Sequence, residues 1–160
     1  MSSKLLAVGD KIPDVTLAGA GGTPVRLRDL VKPKGLVVYF YPKDDTLGCT
    51  IESCNFRDQY EDFVSAGADV VGISADPPES HQKFASKYRL PFTLLSDENG
   101  AGRTAFGVNK SFGLMPGRVT FVFDGGGVVR YVFESQVRVK AHVERALEVV
   151  QGLVEVSRSA

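Results

Sequence analysis

The chain has 160 residues, 43% of them hydrophobic and 24% charged, and its 19 basic and 19 acidic side chains cancel to zero formal net charge. This length suits a single domain over residues 1–160, and the balanced charge gives no indication of binding to nucleic acid or to an anionic membrane surface. Two cysteines argue against a secreted disulfide scaffold and favour a reducing compartment, and the sequence contains no apolar run typical of a signal peptide or a membrane span.

The first half of the chain alternates short extended segments with one helical segment. Residues 15–17 and 25–27 flank a glycine-rich turn, which predicts a hairpin. The continuous apolar run 36–41 is typical of a buried central strand, and Pro42 ends it. Apolar residues on one helical face then predict a helix over about 47–66.

The second half of the chain continues this alternation and closes with a hairpin and a helix. The elements predicted there are a strand over 68–74, a helix over 78–88, a short strand over 93–95, a short helix over 99–106, a hairpin over 119–123 and 128–133, and an amphipathic helix over 140–153. Alternating strands and helices followed by a late hairpin indicate an α/β protein with a mixed sheet.

The two cysteines, Cys49 and Cys54, lie five residues apart at the start of the helix predicted over 47–66. On an intact helix this spacing separates their Cα atoms by about 8–9 Å, whereas a disulfide needs about 4.4–6.8 Å. The pair can therefore form a disulfide only if the helix unwinds locally. A pair that needs movement to close is better suited to a redox cycle than to permanent stabilisation.

The residues around Cys49 favour a reactive thiol. A cysteine in the first turn of a helix lies near unpaired N–H groups and partial positive charge, which stabilise a thiolate. Thr46 can cap the helix or hydrogen-bond the sulfur, and Pro42 fixes the chain as it leaves the strand and limits access of water. Asp44 and Asp45 would oppose a thiolate, so we expect both to point into solvent.

Each of these residues also has an ordinary structural interpretation. A free cysteine is often a small buried hydrophobe, Thr46 a simple helix cap and Pro42 a strand terminator. These residues occur together at a strand–loop–helix junction, and a second cysteine follows five residues later. This combination favours a catalytic role over the ordinary structural ones. His81 and His142 lie far apart in sequence among polar residues, and no zinc-type cysteine spacing accompanies them, so we predict no metal site.

The pattern Pro42-x-x-x-Thr46-x-x-Cys49 resembles the active-site signature of the peroxiredoxins. The second cysteine five residues later resembles the peroxiredoxin Q, or bacterioferritin comigratory protein, subgroup. Further similarity to that subgroup lies in YFYPK (39–43), GCT (48–50), FRD (56–58), VGIS (71–74), FASKY (84–88), LLSD (94–97), PGR (116–118) and TFV (120–122). Leu47 departs from the subgroup, which commonly has proline at that position.

The resemblance implies a thioredoxin-like fold, with a central mixed β-sheet flanked by helices and an N-terminal β-hairpin. It also implies a thiol peroxidase in which Cys49 attacks the O–O bond of a hydroperoxide and becomes a sulfenic acid. Cys54 matches the resolving cysteine, which closes an intramolecular disulfide. Arg118 matches an arginine that stabilises the thiolate and orients the peroxide. Glu52 matches a carboxylate that is frequent in the subgroup, although a surface charge or a helix-start carboxylate is an equal interpretation.

The same resemblance implies the partners of the reaction. No metal, haem or flavin is required, and electrons come from thioredoxin or a thioredoxin-like reductant. A resolving cysteine in the same chain removes the chemical need for a dimer, so we expect a monomer. Members of the subgroup are found in bacterial cytoplasm and in plastids, and both locations stay open.

Two other functions are compatible with parts of the pattern. A non-catalytic redox sensor could use the same pair of cysteines, and its slow turnover would distinguish it from a peroxidase. A thioredoxin-like disulfide reductase is disfavoured because the chain lacks Cys-x-x-Cys.

Overall fold

The computed structural model describes residues 5–108, 110–111 and 115–159, with side chains for 5–108 and 117–153. The strands are β1 (Thr16–Ala18), β2 (Pro24–Arg26), β3 (Leu36–Phe40), β4 (Asp69–Ser74), β5 (Thr93–Ser96), β6 (Lys110–Ser111), β7 (Met115–Pro116), β8 (Val119–Phe123) and β9 (Val129–Glu134). The helices are α1 (Leu47–Asp58), α2 (Tyr60–Ser65), α3 (Pro78–Tyr88), α4 (Ala101–Phe106) and α5 (Val139–Ser159). Within the described ranges, none of these helices combines the length and the apolar character needed to cross a bilayer.

Seven strands form one mixed sheet in the order β2-β1-β5-β4-β3-β8-β9. The central strands β3, β4 and β5 run parallel, whereas β8 pairs with β3 antiparallel and β9 with β8 antiparallel. The antiparallel pair of β1 and β2 confirms the predicted N-terminal hairpin. The mixed sheet flanked by helices confirms the predicted thioredoxin-like architecture.

The strand β3 is fully buried on both faces, and its alternating side chains divide the core into two layers. Val37 and Tyr39 pack with side chains from α1, α2, α3 and α5. Val38 and Phe40 point to the opposite face, where α4 and the N-terminal segment cover them. The end of β3 therefore lies between two packed layers. These layers fix the position at which the loop to α1 begins.

The predicted helix over 47–66 is wrong in its continuity, because the chain leaves the helical conformation at Gln59 and forms α1 and α2 instead. Phe56 of α1 and Phe63 of α2 both pack in the same core layer, seven residues apart. This apolar period continues across the break at Gln59, so the sequence pattern gives no sign of the break. At the C-terminus, α5 extends beyond the predicted 140–153 to Ser159.

Antiparallel pairing of β3 with β8 brings distant segments together. Phe40, the last residue of β3, pairs with Val119, the first residue of β8. Arg118, directly before Val119, is thereby placed beside the loop that leads to Cys49. The sheet register thus supplies the scaffold on which these residues meet.

Candidate active site

Cys49 lies in the first turn of α1, after the loop that follows β3. Its side chain is fully buried. The N–H of Thr50 donates to the carbonyl of Thr46 at 2.8 Å, which closes the first turn. The N–H groups before Thr50 have no carbonyl partner within the helix, so their partial positive charge lies at the end that holds the sulfur. A helix N-terminus of this kind favours negative charge placed beside it.

Pro42 and Thr46 bound the loop between β3 and α1. Pro42 is half-buried and directly follows the fully buried Tyr41. Thr46 is the N-cap residue of α1, but its side chain makes no capping hydrogen bond. Its hydroxyl instead donates to the carbonyl of Lys43 at 2.9 Å, which closes the loop on itself. The oxygen of that hydroxyl can still accept a hydrogen bond from a bound molecule.

Arg118 contacts the sulfur of Cys49 directly. Its Nη2 lies 3.5 Å from Cys49 Sγ, and its Nε donates to the carbonyl of Gln136 at 3.2 Å. Gly48 permits this approach, because a Cβ atom there would lie only 3.1 Å from Arg118 Nη2. Arg118 as a residue is only 5% exposed, and its guanidinium places a fixed positive charge beside the sulfur.

Glu52 is fully buried beside Arg118, so its interpretation as a surface charge is wrong. Its Oε1 accepts a hydrogen bond from Arg118 Nη1 at 2.6 Å. Burial raises the pKa of Glu52 to about 8, although the neighbouring guanidinium acts in the opposite direction. Burial alone would lower the pKa of Arg118, but the charges of Glu52 and Cys49 outweigh it and raise the pKa.

His142 lies behind Glu52 and is also fully buried, which the polar sequence around it did not indicate. Its Nε2 lies 2.7 Å from the carbonyl of Ser135, and its Nδ1 lies 2.7 Å from the hydroxyl of Thr120. Burial lowers the pKa of His142 to about 4, and the positive charge of Arg118 contributes to this shift. The ring is therefore neutral at physiological pH.

Asp44 is buried, so the prediction that it points into solvent is wrong. Its carboxylate accepts hydrogen bonds from Tyr41 at 2.6 Å and from Ser80 at 2.9 Å, and lies 2.7 Å from His81 Nδ1. Its backbone N–H donates to Asp76 at 2.8 Å. These contacts tie the loop before Cys49 to α3 and to the end of β4, and the partners become neighbours only in the folded chain.

Asp45 differs from its neighbour, since its side chain is 48% exposed. It accepts hydrogen bonds from Lys87 and from the Tyr88 hydroxyl, both at the end of α3. The lysine hydrogen bond is the main cause that lowers the pKa of Asp45. In the described part of the chain, Asp44, Asp76 and His81 form the one group of three possible metal ligands, and all three already take part in hydrogen bonds.

The sequence profile of the AhpC/TSA family matches residues 8–132. The chain belongs to this family. A chloroplastic peroxiredoxin Q of Sedum lineare is 50% identical over 146 residues, which cover 91% of this chain and 78% of the relative. Peroxidoxin BcpB of Mycobacterium tuberculosis has a solved structure with a TM-score of 0.85 and 37% identity, covering 92% of this chain and 97% of that chain.

A further solved structure, of the Xanthomonas campestris bacterioferritin comigratory protein, concerns its alkyl peroxide reduction activity. It has a TM-score of 0.81 and 32% identity, and it covers 95% of this chain and 99% of that chain. These similarities confirm the resemblance to the peroxiredoxin Q subgroup and the predicted thiol-dependent peroxidase activity.

Cys54, the second cysteine of this peroxiredoxin, has different surroundings from Cys49. It is half-buried on the later part of α1, and both cysteines are free thiols. Burial raises the pKa of Cys54, although the nearby Arg57 opposes the shift. The two sulfurs are thus unequal: Cys49 lies against a buried cation, whereas the surroundings of Cys54 favour its protonated form.

Arg103 is a second cation of the peroxiredoxin site, and no motif in the sequence indicated it. Its Nη2 donates to the carbonyl of Tyr41 at 3.2 Å, and its Nη1 donates to the carbonyl of Gly117 at 3.4 Å. Burial lowers its pKa, while the charge of Cys49 acts in the opposite direction. Arg103 therefore bridges the residues directly before Pro42 and Arg118. An arginine in the short helix after LLSD is the sequence feature that could have identified it.

Proposed function

We propose that this thiol-dependent peroxidase uses Cys49 as its peroxidatic cysteine. The observation that carries the proposal is the 3.5 Å contact between Arg118 Nη2 and the buried Cys49 sulfur at the start of α1. A guanidinium and a helix N-terminus together stabilise the thiolate, which is the nucleophilic form. They also stabilise the negative charge that develops on the leaving oxygen during attack.

The proposed first step reduces the peroxide. The thiolate of Cys49 attacks one oxygen of the hydroperoxide, an S–O bond forms and the O–O bond breaks. The other oxygen leaves with the bonding electrons and takes up a proton, giving water or an alcohol. Cys49 is thereby oxidised to a sulfenic acid. Pro42 and Thr46 would shape the pocket, with the Thr46 oxygen available to accept a hydrogen bond from the peroxide.

Cys54 is proposed as the resolving cysteine. Its sulfur attacks the sulfenic sulfur of Cys49, an S–S bond forms and water leaves. An intact α1 keeps the two Cα atoms about 8–9 Å apart, which exceeds disulfide geometry. Part of α1 must therefore unwind in each cycle. The shorter helix α2 begins after a break at Gln59, so the unwinding can stay within α1.

Thioredoxin, or a thioredoxin-like protein, is proposed as the reductant that returns two electrons and two protons to the disulfide. Residues 1–160 are proposed to act as one domain and as a monomer, because both cysteines of the cycle lie in the same chain. The chloroplastic name of the plant relative supports a plastid location if the chain comes from a photosynthetic eukaryote. For a bacterial chain we propose the cytoplasm.

The test is consumption of hydrogen peroxide and of an alkyl hydroperoxide, coupled to thioredoxin and its reductase. The Cys49→Ser variant should lose the activity, and full activity in that variant would refute the proposal. The Cys54→Ser variant should reduce one equivalent of peroxide and then stop with thioredoxin as donor. Slow turnover of the unaltered protein, with one partner trapped as a mixed disulfide, would favour a redox sensor instead.

A further inference from the structure

Glu52 lies between the two cysteines on α1, and its carboxyl group is fully buried. Oxygen Oε1 accepts the hydrogen bond from Arg118 Nη1 at 2.6 Å. Oxygen Oε2 has no hydrogen-bond partner among the described residues. A buried carboxylate with one unsatisfied oxygen is unfavourable. A neutral carboxyl group in the same place carries no uncompensated charge.

His142 lies nearest to this oxygen on the side of α5, and its Nδ1 is 3.7 Å from Glu52 Oε2, beyond hydrogen-bond distance. His142 Nε2 faces the carbonyl of Ser135, which can only accept, so Nε2 carries the ring proton of the neutral form. The one electron pair of Nδ1 then accepts from the Thr120 hydroxyl. His142 therefore donates no hydrogen bond to Oε2 and brings no positive charge that would compensate a carboxylate there.

The charged and titratable groups around Glu52 come from four elements. They are Cys49 on α1, Arg118 before β8, His142 on α5 and Tyr39 on β3. Burial holds the pKa of Tyr39 well above its usual value and lowers the pKa of His142 to about 4, so both are neutral near pH 7. Arg103 on α4 is a second cation near Cys49, but its hydrogen bonds go to the carbonyls of Tyr41 and Gly117. Among the described residues, Arg118 is the one cation that hydrogen-bonds both Cys49 and Glu52.

We propose that Glu52 is a charge-switching positioning residue, whose carboxyl group is neutral while Cys49 is a thiolate, so that Arg118 balances one anion at a time. This inference rests on the proposed role of Cys49 and deepens it. Two anions bound to the same buried guanidinium would repel each other and share one direct partner, which is costly at low dielectric. The pKa of Glu52, about 8, supports this arrangement, since an exposed carboxyl group would be fully ionised at pH 7.

A permanently ionised Glu52 that merely clamps Arg118 is the opposing explanation, and the two differ in the width of the Cys49 titration curve. Under the charge switch, the ionisations of Cys49 and Glu52 oppose each other, so the Cys49 titration curve is broader than that of a single site. The Glu52→Gln variant gives Arg118 entirely to the thiolate. Its curve should narrow to that of a single site. Under the clamp, Glu52 keeps its charge while Cys49 titrates, so the curve has the width of a single site both before and after the substitution.

The experiment measures the rate of alkylation of Cys49 by iodoacetamide between pH 4 and 9, in a Cys54→Ser background that leaves one thiol. Glu61→Gln removes an exposed acid from α2 and serves as the matched control, with an unchanged curve expected. A single-site curve before the Glu52 substitution, or a curve that stays equally broad after it, overturns the charge switch. The alkylation assay contains no peroxide. If the unaltered protein lacks peroxidase activity while the Cys54→Ser protein gives a broad alkylation curve, only the proposed function is refuted.

An infrared measurement covers the case in which the Glu52→Gln variant does not fold. At pH 6.5 the exposed carboxyl groups are ionised, so a carbonyl band from a protonated carboxyl group should come from a buried one. We expect such a band in the Cys54→Ser protein and its loss as the pH rises through about 8, the pKa of Glu52. Absence of the band at pH 6.5 would overturn the proposal.

Discussion

The two halves of α1 are held by different kinds of contact. In the first half, Leu47 is 81% exposed and Ile51 is 37% exposed. The buried residues there are Cys49 and Glu52, and both depend on Arg118. This half is therefore held mainly by the charges of the site.

In the second half, Phe56 is fully buried and stacks on Tyr39 with ring centroids 4.4 Å apart. Ser53 hydrogen-bonds the Tyr39 hydroxyl at 2.8 Å, and Arg57 donates to the carbonyl of Tyr88 at 2.8 Å. Apolar packing of this kind does not change with the oxidation state of a sulfur. The second half of α1 thus provides a stable platform that carries Cys54.

The difference indicates which half moves. Oxidation of Cys49 to a neutral sulfenic acid removes the attraction between thiolate and Arg118, so it weakens the contacts of the first half alone. We therefore expect the first half of α1, residues 47–52, to unwind and to bring Cys49 toward Cys54. The aromatic contacts of Phe56 should persist in the disulfide state.

The largest expected effect follows from removing the cation. The Arg118→Ala variant should react with peroxide about 10²–10³-fold more slowly, because loss of one group that stabilises developing charge typically has that magnitude. Stopped-flow measurement of the first turnover tests this. Alkylation of Cys54 should be unchanged in the same variant, and an equal loss at both cysteines would contradict the division of α1 into two halves.

The second prediction concerns the loop before the first half. The Asp44→Asn variant weakens buried hydrogen bonds to Ser80 and to His81, so it should lower the free energy of unfolding by about 1–3 kcal/mol and slow the peroxide reaction. Urea unfolding and first-turnover rates measure the two effects. The exposed neighbour Asp45 gives the matched control, because Asp45→Asn should change neither the free energy of unfolding nor the first-turnover rate appreciably. Equal effects in both variants would refute the anchoring role of Asp44.

The third prediction is a pH dependence of stability that comes from the first half of α1. In the folded protein the pKa of Glu52 is raised from 4.5 to about 8, so its contribution is complete below pH 4.5 and is lost as the pH rises to 8. The pKa of His142 is lowered from 6.5 to about 4, so its contribution is complete above pH 6.5 and is lost as the pH falls to 4.

Of these two groups, only Glu52 contributes between pH 6.5 and 8. The free energy of unfolding should fall there by at most about 1.4 kcal/mol per pH unit. The Glu52→Gln variant should flatten this slope in urea titrations at several pH values, while Glu61→Gln should keep it. A slope that survives in Glu52→Gln would assign it to another group.

The smallest expected effect comes from stiffening the first turn. Leu47 is the first helical residue of α1, a position that accepts proline because its N–H needs no partner within the helix. Leu47→Pro should stabilise the reduced protein by about 0.4–1 kcal/mol and slow closure of the disulfide. Rapid mixing with one equivalent of peroxide, followed by thiol trapping, measures the closure. A faster closure would show that the first turn does not take part in unwinding.

Local patterns predicted the elements of this fold well, since strand β3, helix α3 and both hairpins depend on alternation, apolar spacing and turn residues near in sequence. The start of α1 was also predicted, because a proline after an apolar run and a threonine before a helical period are local signals. The break at Gln59 was not, because the apolar period of Phe56 and Phe63 runs across it.

The polar interior of the site could not be predicted in the same way. Glu52 lies 66 residues from Arg118 in sequence, and Asp44 lies 37 residues from His81, so each pair meets only through the sheet and the packing of helices. A charged side chain is usually exposed, and no nearby residue marks these as exceptions. Family resemblance supplied Arg118, but it gave no reason to expect His142 or Arg103 beside it.

The contacts of Asp44 also constrain how the sequence can change. The carboxylate of Asp44 contacts Tyr41, Ser80 and His81 at once. A substitution at any of these four residues therefore changes how much the other three contribute to stability. Their mutational effects should not add, and replacements should be tolerated in matched sets more readily than singly. The loop in front of the reactive cysteine is therefore expected to evolve together with helix α3, which takes no part in the chemistry.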